Sequence, residues 1–460
     1  VLPVRERLRV IKRARHLLAG RTEALCAAIP VELARNAADT MCAEILPLLA
    51  AMEFLEREGE AVLAPRKLGK RGRPFWLAGV WSEVRRVPMG RVLVIAPANY
   101  PLFLAGVQVA QALAAGNAAV WKPGLGGAAV ARIFADVMQE AGLPEGMLEV
   151  TEDSVEAAKE AIEAGVDKVF FTGSAASGRA LMRQLAETMT PCVAELSGCD
   201  AVLVLASADL ARVVKALAFG MRLNGSATCM APRRVILIGA DAGKRAGFLG
   251  ELTTSLGSVA GVRISGRVRQ ELRSLVADAT AAGASVSGEL EDLQRPVVVS
   301  GVTAEMRIAQ ADVFAPVLAV MEAGDVDEAV AMHEACPYAL TAAVFGEERE
   351  AVAMAERITA GTVMVNDLIV PGADPRTPFG GRKGSGFGVT QGAEGLLEMT
   401  AAKVIAVRRG GGTRHFQATT EAHERLFEGV IRASHLTGWR ERWSGLKQVV
   451  AAARGFGSGN

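Results

Sequence analysis

A chain of 460 residues is too long for one compact core and implies two or three domains. Half of the residues are hydrophobic and the formal net charge is +1, which fits a soluble globular protein and excludes a nucleic-acid binder held by bulk charge. Five histidines, at 16, 333, 415, 423 and 435, are too scattered to form a metal centre, and six cysteines without a CxxC pair read as reduced thiols of a cytoplasmic protein.

Residues 1–62 are helical by apolar period. Their basic start, 1–18, lacks the apolar stretch and cleavage site of a signal peptide. Pro65 and the Gly-Lys-Arg-Gly-Arg-Pro run at 69–74 end this segment, and short alternating strands follow at 82–88 and 91–96. Residues 101–121 carry no charge and are long enough to span a bilayer, but Gln108, Gln111, Gly116 and Asn117 interrupt them. They read as a buried helix over 101–115 that runs into a strand at 118–121. A helix from about 126, a strand at 148–150 and one closing at Phe171 continue the alternation, and further strands are expected at 201–205, 235–238, 297–299, 317–320, 342–345 and 362–365. Strands alternating with helices of this length predict an α/β fold with two doubly wound parallel-sheet domains. The glycine-rich 408–412 is a linker by composition. The tail after it is helical, with Phe416, Thr420, His423, Phe427 and Val430 on one face and Trp443, Leu446, Val450 and Ala453 on another. Such a slightly basic amphipathic tail docks on its own protein, on a partner subunit or on a membrane surface, and self-docking is the simplest expectation.

Two residues in unusual contexts carry chemistry. Glu195 lies in Val-Ala-Glu-Leu-Ser-Gly (193–198), and Cys229 in Leu-Asn-Gly-Ser-Ala-Thr-Cys-Met-Ala-Pro-Arg-Arg-Val (223–235), 34 positions later. A thiol that attacks a carbonyl and a carboxylate that activates water must come from two segments facing one cleft. Taken alone, an isolated cysteine is core packing, a glutamate is a surface charge, and an asparagine before Tyr-Pro is a turn residue.

Several ordered blocks between about 10 and 408 resemble the aldehyde dehydrogenase superfamily. They are 91–96 with Pro97-Ala98-Asn99-Tyr100-Pro101, Leu113–Asn117 with Trp121-Lys122-Pro123, Phe171-Thr172-Gly173-Ser174 with Gly178, the Glu195 and Cys229 blocks, Asp312-Val313-Phe314-Ala315-Pro316-Val317, and 378–386. The Asn-Tyr-Pro wording is most similar to the dimeric branch acting on fatty, aromatic or medium-chain aldehydes. The resemblance implies Cys229 as nucleophile, Glu195 as general base and Asn99 as oxyanion donor. It implies cofactor contacts from Lys122, Gly173, Ser174, Gly178, Leu196, Asp312 and Phe314, and no metal. The reaction implied is oxidation of an aldehyde to a carboxylic acid with NAD or NADP. A CoA-acylating enzyme or a non-catalytic scaffold of the same fold are the alternatives. The acid that holds the adenine ribose in NAD-using relatives is replaced by Leu125, which leaves both cofactors open. Only two tyrosines, Tyr100 and Tyr338, are present, which hints at an apolar substrate tunnel.

The family pattern also assigns 1–80 and 93–196 to the dinucleotide-binding domain and 197–384 to the catalytic domain. It assigns 81–92 and 398–408 to a bridging oligomerisation arm and 409–460 to a helical tail. The expected partners are a small aldehyde and further copies of the chain, as a homodimer or homotetramer. No nucleic-acid partner is expected, and membrane-surface contact is expected only through the tail.

Overall fold

Val92, Leu93 and Val94 are completely buried, as a central strand covered on both faces requires. In the computed structural model, which describes residues 2–288, 295–410, 414–416 and 418–455, these residues form the strand Arg91–Ile95 at the middle of a six-stranded sheet. The strand order across that sheet is Gly386–Phe387, Cys192–Glu195, Lys168–Thr172, Arg91–Ile95, Ala118–Lys122 and Leu148–Val150. All neighbours are parallel except the first pair. The chain order reverses between Arg91–Ile95 and Lys168–Thr172, and such a reversal opens a crevice beyond the carboxyl ends of the strands.

The uncharged stretch forms the helix Phe103–Ala115, buried on nearly every side, and then turns at Gly116 (φ 98°) into Ala118–Lys122. Alanines and Gly106 let it lie against the helices Val4–Gly20 and Leu46–Leu63. Among the described residues no helix is long and apolar enough to cross a membrane.

The second sheet runs Ser285–Ser287, Val297–Ser300, Val317–Ala323, Pro232–Ile238, Asp200–Val204, Thr341–Phe345 and Thr362–Val365, parallel apart from its first edge pair. Helices cover both of its faces, with separate buried clusters on each. A third sheet joins Arg66–Leu68, Val80–Pro88 and Thr400–Arg408.

The structure moves three of the sequence boundaries. Arg91 and Val92, assigned to the arm, belong to the central strand, because Pro88 and Gly90 (φ 134°) interrupt what looks like one β run. Residues 66–68 pair with the arm rather than with the first domain. Gly386–Phe387 and the helix Gly392–Glu398 return to the first sheet and its helices, too short and glycine-rich for periodicity to reveal them.

By contacts the chain forms two units, 1–66 with 84–403 and 67–83 with 404–460. The second unit contains the helices Glu421–His435 and Trp439–Gly455, which pack on each other. The linker assigned to 408–412 lies partly outside the described residues. Within this unit Phe427, Trp439, Trp443, Leu446 and Val450 are exposed.

Candidate active site

Five of the residues singled out by sequence come from the carboxyl ends of adjacent strands in the first sheet. Asn99 follows Arg91–Ile95, Lys122 ends its neighbour, Gly173 and Ser174 follow Lys168–Thr172, and Glu195 ends the next strand in register with Thr172. The second sheet offers the opposite ends of its strands: Cys229 stands just before Pro232–Ile238, and Asp312 just before Val317–Ala323. The two sets meet where Gly198 packs on the Cys229 loop. A Cβ on Gly198 would lie 2.6 Å from the Cys229 carbonyl oxygen, so no other residue fits there without moving the loop.

Glu195 is buried, and its carboxyl takes hydrogen bonds from the Cys229 thiol and from Thr172. Burial pushes its pKa up to about 7, against the lowering effect of those two contacts, and the charge of Asp312 adds to the rise. Its Oε1 has no hydrogen-bond partner among the described residues. Burial and the carboxyls of Glu195, Asp200 and Asp312 hold the half-buried Cys229 well above the ordinary thiol range. The resting cysteine is therefore a thiol, with its natural base in contact.

The loop carrying Cys229 runs through three consecutive left-handed residues, Asn224 (φ 50°), Gly225 (φ 57°) and Ser226 (φ 63°). Two of these carry side chains, a conformation that persists only where the surroundings enforce it. Arg233, itself buried, does so: Nη1 donates to Ser226 Oγ at 2.6 Å, and Nη2 donates to the Ser226 carbonyl at 2.7 Å. Asn224 Nδ2 donates to the carbonyls of Asn99 (3.1 Å) and Ala227 (2.9 Å). Asn99 Nδ2 donates to the same Ala227 carbonyl at 2.9 Å, which brings the amide within two residues of Cys229. Tyr100 Oη shares a 2.8 Å hydrogen bond with Thr228 Oγ1.

Arg35 completes this frame. It donates to Asn224 Oδ1 (2.8 Å), the Asn99 carbonyl (2.5 Å) and Glu44 Oε1 (2.6 Å), in an ion pair whose side chains are 3% and 0% exposed. Glu44 sits on a π-turn, Met41–Ile45, and accepts from the backbone of Leu102 and Phe103 at the start of the central helix. Sequence reasoning missed Arg35, Glu44, Asn224 and Arg233. For Arg233 a signal existed: two arginines enter an apolar strand, and a buried guanidinium demands partners. Arg35 and Glu44 sit in a segment whose pattern reads only as helix.

The remaining predicted positions stand on strands, turns and loops next to these strand ends. Ser174 caps the helix Ala175–Ala186 through its hydroxyl, accepting from Ser177 N at 3.2 Å. A Cβ on Gly178 would stand 2.6 Å from Leu196 Cδ2, so this helix rests directly on Leu196, while Gly173 touches the Phe171 ring. Lys122 is buried, which lowers its pKa against the pull of Asp153. Burial pushes Asp312 up to about 6 despite Arg233, and its buried Oδ1 has no hydrogen-bond partner among the described residues. Phe314 is half-buried beside the Arg233 guanidinium, 5.9 Å from its ring centre. The turn 124–127 packs so closely on Pro97 that a Cβ on Gly124 would lie 2.2 Å from the Pro97 carbonyl, while Leu125 is exposed. No cluster of metal-binding side chains occurs among the described residues.

A cavity of about 130 Å³ has Cys229 among its lining residues. Phe103, Leu104, Phe219, Leu223, Ile369 and Phe379 supply much of its wall, and no lysine, arginine, aspartate or glutamate lines it.

The Aldehyde dehydrogenase family profile matches residues 1–405. The 4,4'-diapolycopene aldehyde oxidase of Methylomonas sp is 31% identical over 412 residues, 87% of this chain and 77% of that protein. A putative succinate-semialdehyde dehydrogenase [NADP(+)] of Mycolicibacterium smegmatis is 31% identical, covering 88% of this chain and 81% of its own length. The crystal structure of an aldehyde dehydrogenase from Mycobacterium tuberculosis complexed with NAD+ superposes with a TM-score of 0.79 at 28% identity, over 89% of this chain and 86% of that one. With a match across both sheets and the segments that carry Asn99, Glu195 and Cys229, the chain belongs to the aldehyde dehydrogenase family.

Proposed function

We propose that this protein oxidises apolar aldehydes to carboxylic acids with NAD or NADP, through a covalent intermediate on Cys229. The observation that carries this reading is a protonated Cys229 beside a carboxyl of raised pKa, Glu195, with the same cysteine lining an apolar cavity.

Above about pH 7 Glu195 is ionised and takes the proton of the Cys229 thiol. The freed thiolate forms an Sγ–C bond with the aldehyde carbonyl, whose oxygen becomes an oxyanion. One N–H of the Asn99 amide is held by Ala227, and its other N–H and the Cys229 backbone N–H are the donors to that oxygen. Each such donor is worth about 3–4 kcal/mol of barrier. A nicotinamide cofactor held beside Asp312 and Phe314 would supply the acceptor for the hydride that leaves the substrate carbon. A thioester on Cys229 remains. Glu195 then draws a proton from water, which attacks the thioester carbon, and the C–S bond breaks to release the acid and restore the thiol.

The crevice fits such a cofactor. It lies at the switch point of a parallel sheet, beneath a helix N-terminus, and the orphaned Asp312 Oδ1 is a buried acceptor suited to ribose hydroxyls. Lys122, Gly173, Ser174, Gly178 and Leu196 would hold the nucleotide, and Asp312 and Phe314 its nicotinamide half.

The two relatives differ in substrate polarity, and the cavity favours the apolar type. A carboxylate-bearing aldehyde would enter a wall that offers it no cation, and an uncompensated buried charge is strongly disfavoured. Reduced-cofactor formation with octanal, benzaldehyde and succinic semialdehyde tests this. Higher kcat/KM for succinic semialdehyde would overturn the apolar assignment, and an unchanged rate in Cys229→Ala would overturn the nucleophile.

A further inference from the structure

The C-terminal hairpin lies outside both sheets and outside the segment that matches the family, and its surface is unlike the rest of the molecule. Its helices meet backbone to backbone: a Cβ on Gly429 would lie 2.9 Å from Val449 N, and one on Gly445 would lie 2.5 Å from Ala433 N. Counted from these glycines, Trp439, Trp443, Leu446 and Val450 fall roughly 100–160° round their helix, and Phe427 and Val430 lie in the same range on the other. Antiparallel helices wind in opposite senses when viewed from one end, so both stripes lie on one flank of the hairpin. That flank is open, with Trp439 73% and Trp443 57% exposed. Four of the five tryptophans of the chain, Trp76, Trp81, Trp439 and Trp443, belong to this second unit and are exposed, while Trp121 is buried in the first.

Charge is partitioned in the same way. The unit 67–83 with 404–460 holds thirteen lysines and arginines against five glutamates, a net +8. The remainder holds 38 against 45, a net −7. Arg442 shares a groove with Trp439, Trp443 and Leu446, and Arg440 lies 5.4 Å over the Trp439 ring.

We infer that this hairpin docks the protein on an anionic lipid surface, with its tryptophan flank in the headgroup layer and the basic residues of its unit on the phosphates. Tryptophan edged by arginine matches that interface, apolar within and anionic at the rim. A second copy of the chain fits the same flank poorly, since a two-fold contact would set one +8 unit against another.

Sedimentation of the full chain with vesicles of phosphatidylcholine alone, or of phosphatidylcholine mixed with phosphatidylglycerol, tests the inference, with tryptophan emission as a second readout. Binding to the anionic vesicles alone, weakened by salt and accompanied by a blue shift, is expected. The pair Trp439→Ala and Trp443→Ala should lower partitioning by about tenfold or more. The pair Arg440→Glu and Lys447→Glu, both exposed and outside the hydrogen bonds that join the two helices, should abolish the preference for anionic lipid. No binding to either vesicle, or equal binding to both, overturns the inference. So does a doubling of mass in solution that Trp443→Ala reverses, which would give the flank to a second copy.

Discussion

Arg35 Nη2 donates to the backbone carbonyl of Asn99 at 2.5 Å while Nη1 of the same guanidinium pairs with the buried Glu44. A residue of the N-terminal helical region thereby fixes the loop that carries the proposed oxyanion donor. Arg35→Ala leaves the buried Glu44 without its only cation, and a loss of about 3–5 kcal/mol in urea unfolding is expected. Arg35→Lys keeps the charge but cannot reach from one nitrogen the acceptors that Nε, Nη1 and Nη2 reach separately, so it should fold and lose about tenfold in kcat/KM.

Asn99→Ala removes the proposed oxyanion donor. A fall in kcat of about 10²–10³-fold is expected, with calorimetric affinity for NAD or NADP unchanged. Loss of cofactor affinity with kcat intact would instead assign Asn99 to cofactor binding.

Glu195 with a pKa of about 7 sets a pH dependence. The base is active when ionised, so the rate should rise as pH increases through about 7 and level off above it. Glu195→Gln should remove this limb from the pH–rate profile and leave a slow, flat residual. A profile that keeps its inflection in the glutamine variant would move the base elsewhere.

The carboxyls of Glu195, Asp200 and Asp312 are pushed up to about 7, 7 and 6 by burial, the last two partly offset by neighbouring arginines. The folded protein holds these protons more tightly than the unfolded chain does. Their stabilising contribution is therefore complete below the ordinary carboxylate range and is lost as pH rises through 6–7. For Glu195 alone the shift from 4.5 to about 7 corresponds to on the order of 3 kcal/mol. Thermal midpoints should fall between pH 5 and pH 8, less steeply in Glu195→Gln. A midpoint that rises over this range would refute the assignment.

Gly198→Ala puts a methyl group 2.6 Å from the Cys229 carbonyl oxygen and must displace the nucleophile loop. The chain should fold, since the change lies at one edge of the cleft. Alkylation of Cys229 by iodoacetamide and the turnover rate should change together, because both report the same thiol.

The sequence was informative where the signal was local. The alternation of apolar periods yielded the two series of strands, and the order of short blocks pointed to Asn99, Glu195 and Cys229. Period cannot count edge strands two residues long, so Gly386–Phe387 and its place beside Glu195 were invisible. Nor can it pair an arginine at 35 with a glutamate at 44 across a π-turn and then with an asparagine at 99.

What the sequence by itself determined is the chemistry on offer, because a thiol, a carboxyl and an amide keep their character wherever they stand. Tertiary structure alone decided how that chemistry is poised. Strand order set the Glu195 carboxyl against the Cys229 thiol, and burial raised the pKa of both. Arg233 held the Cys229 loop in its left-handed turn. Each of these depends on which distant segments exclude water from one another, a property of the folded chain that no window of residues contains.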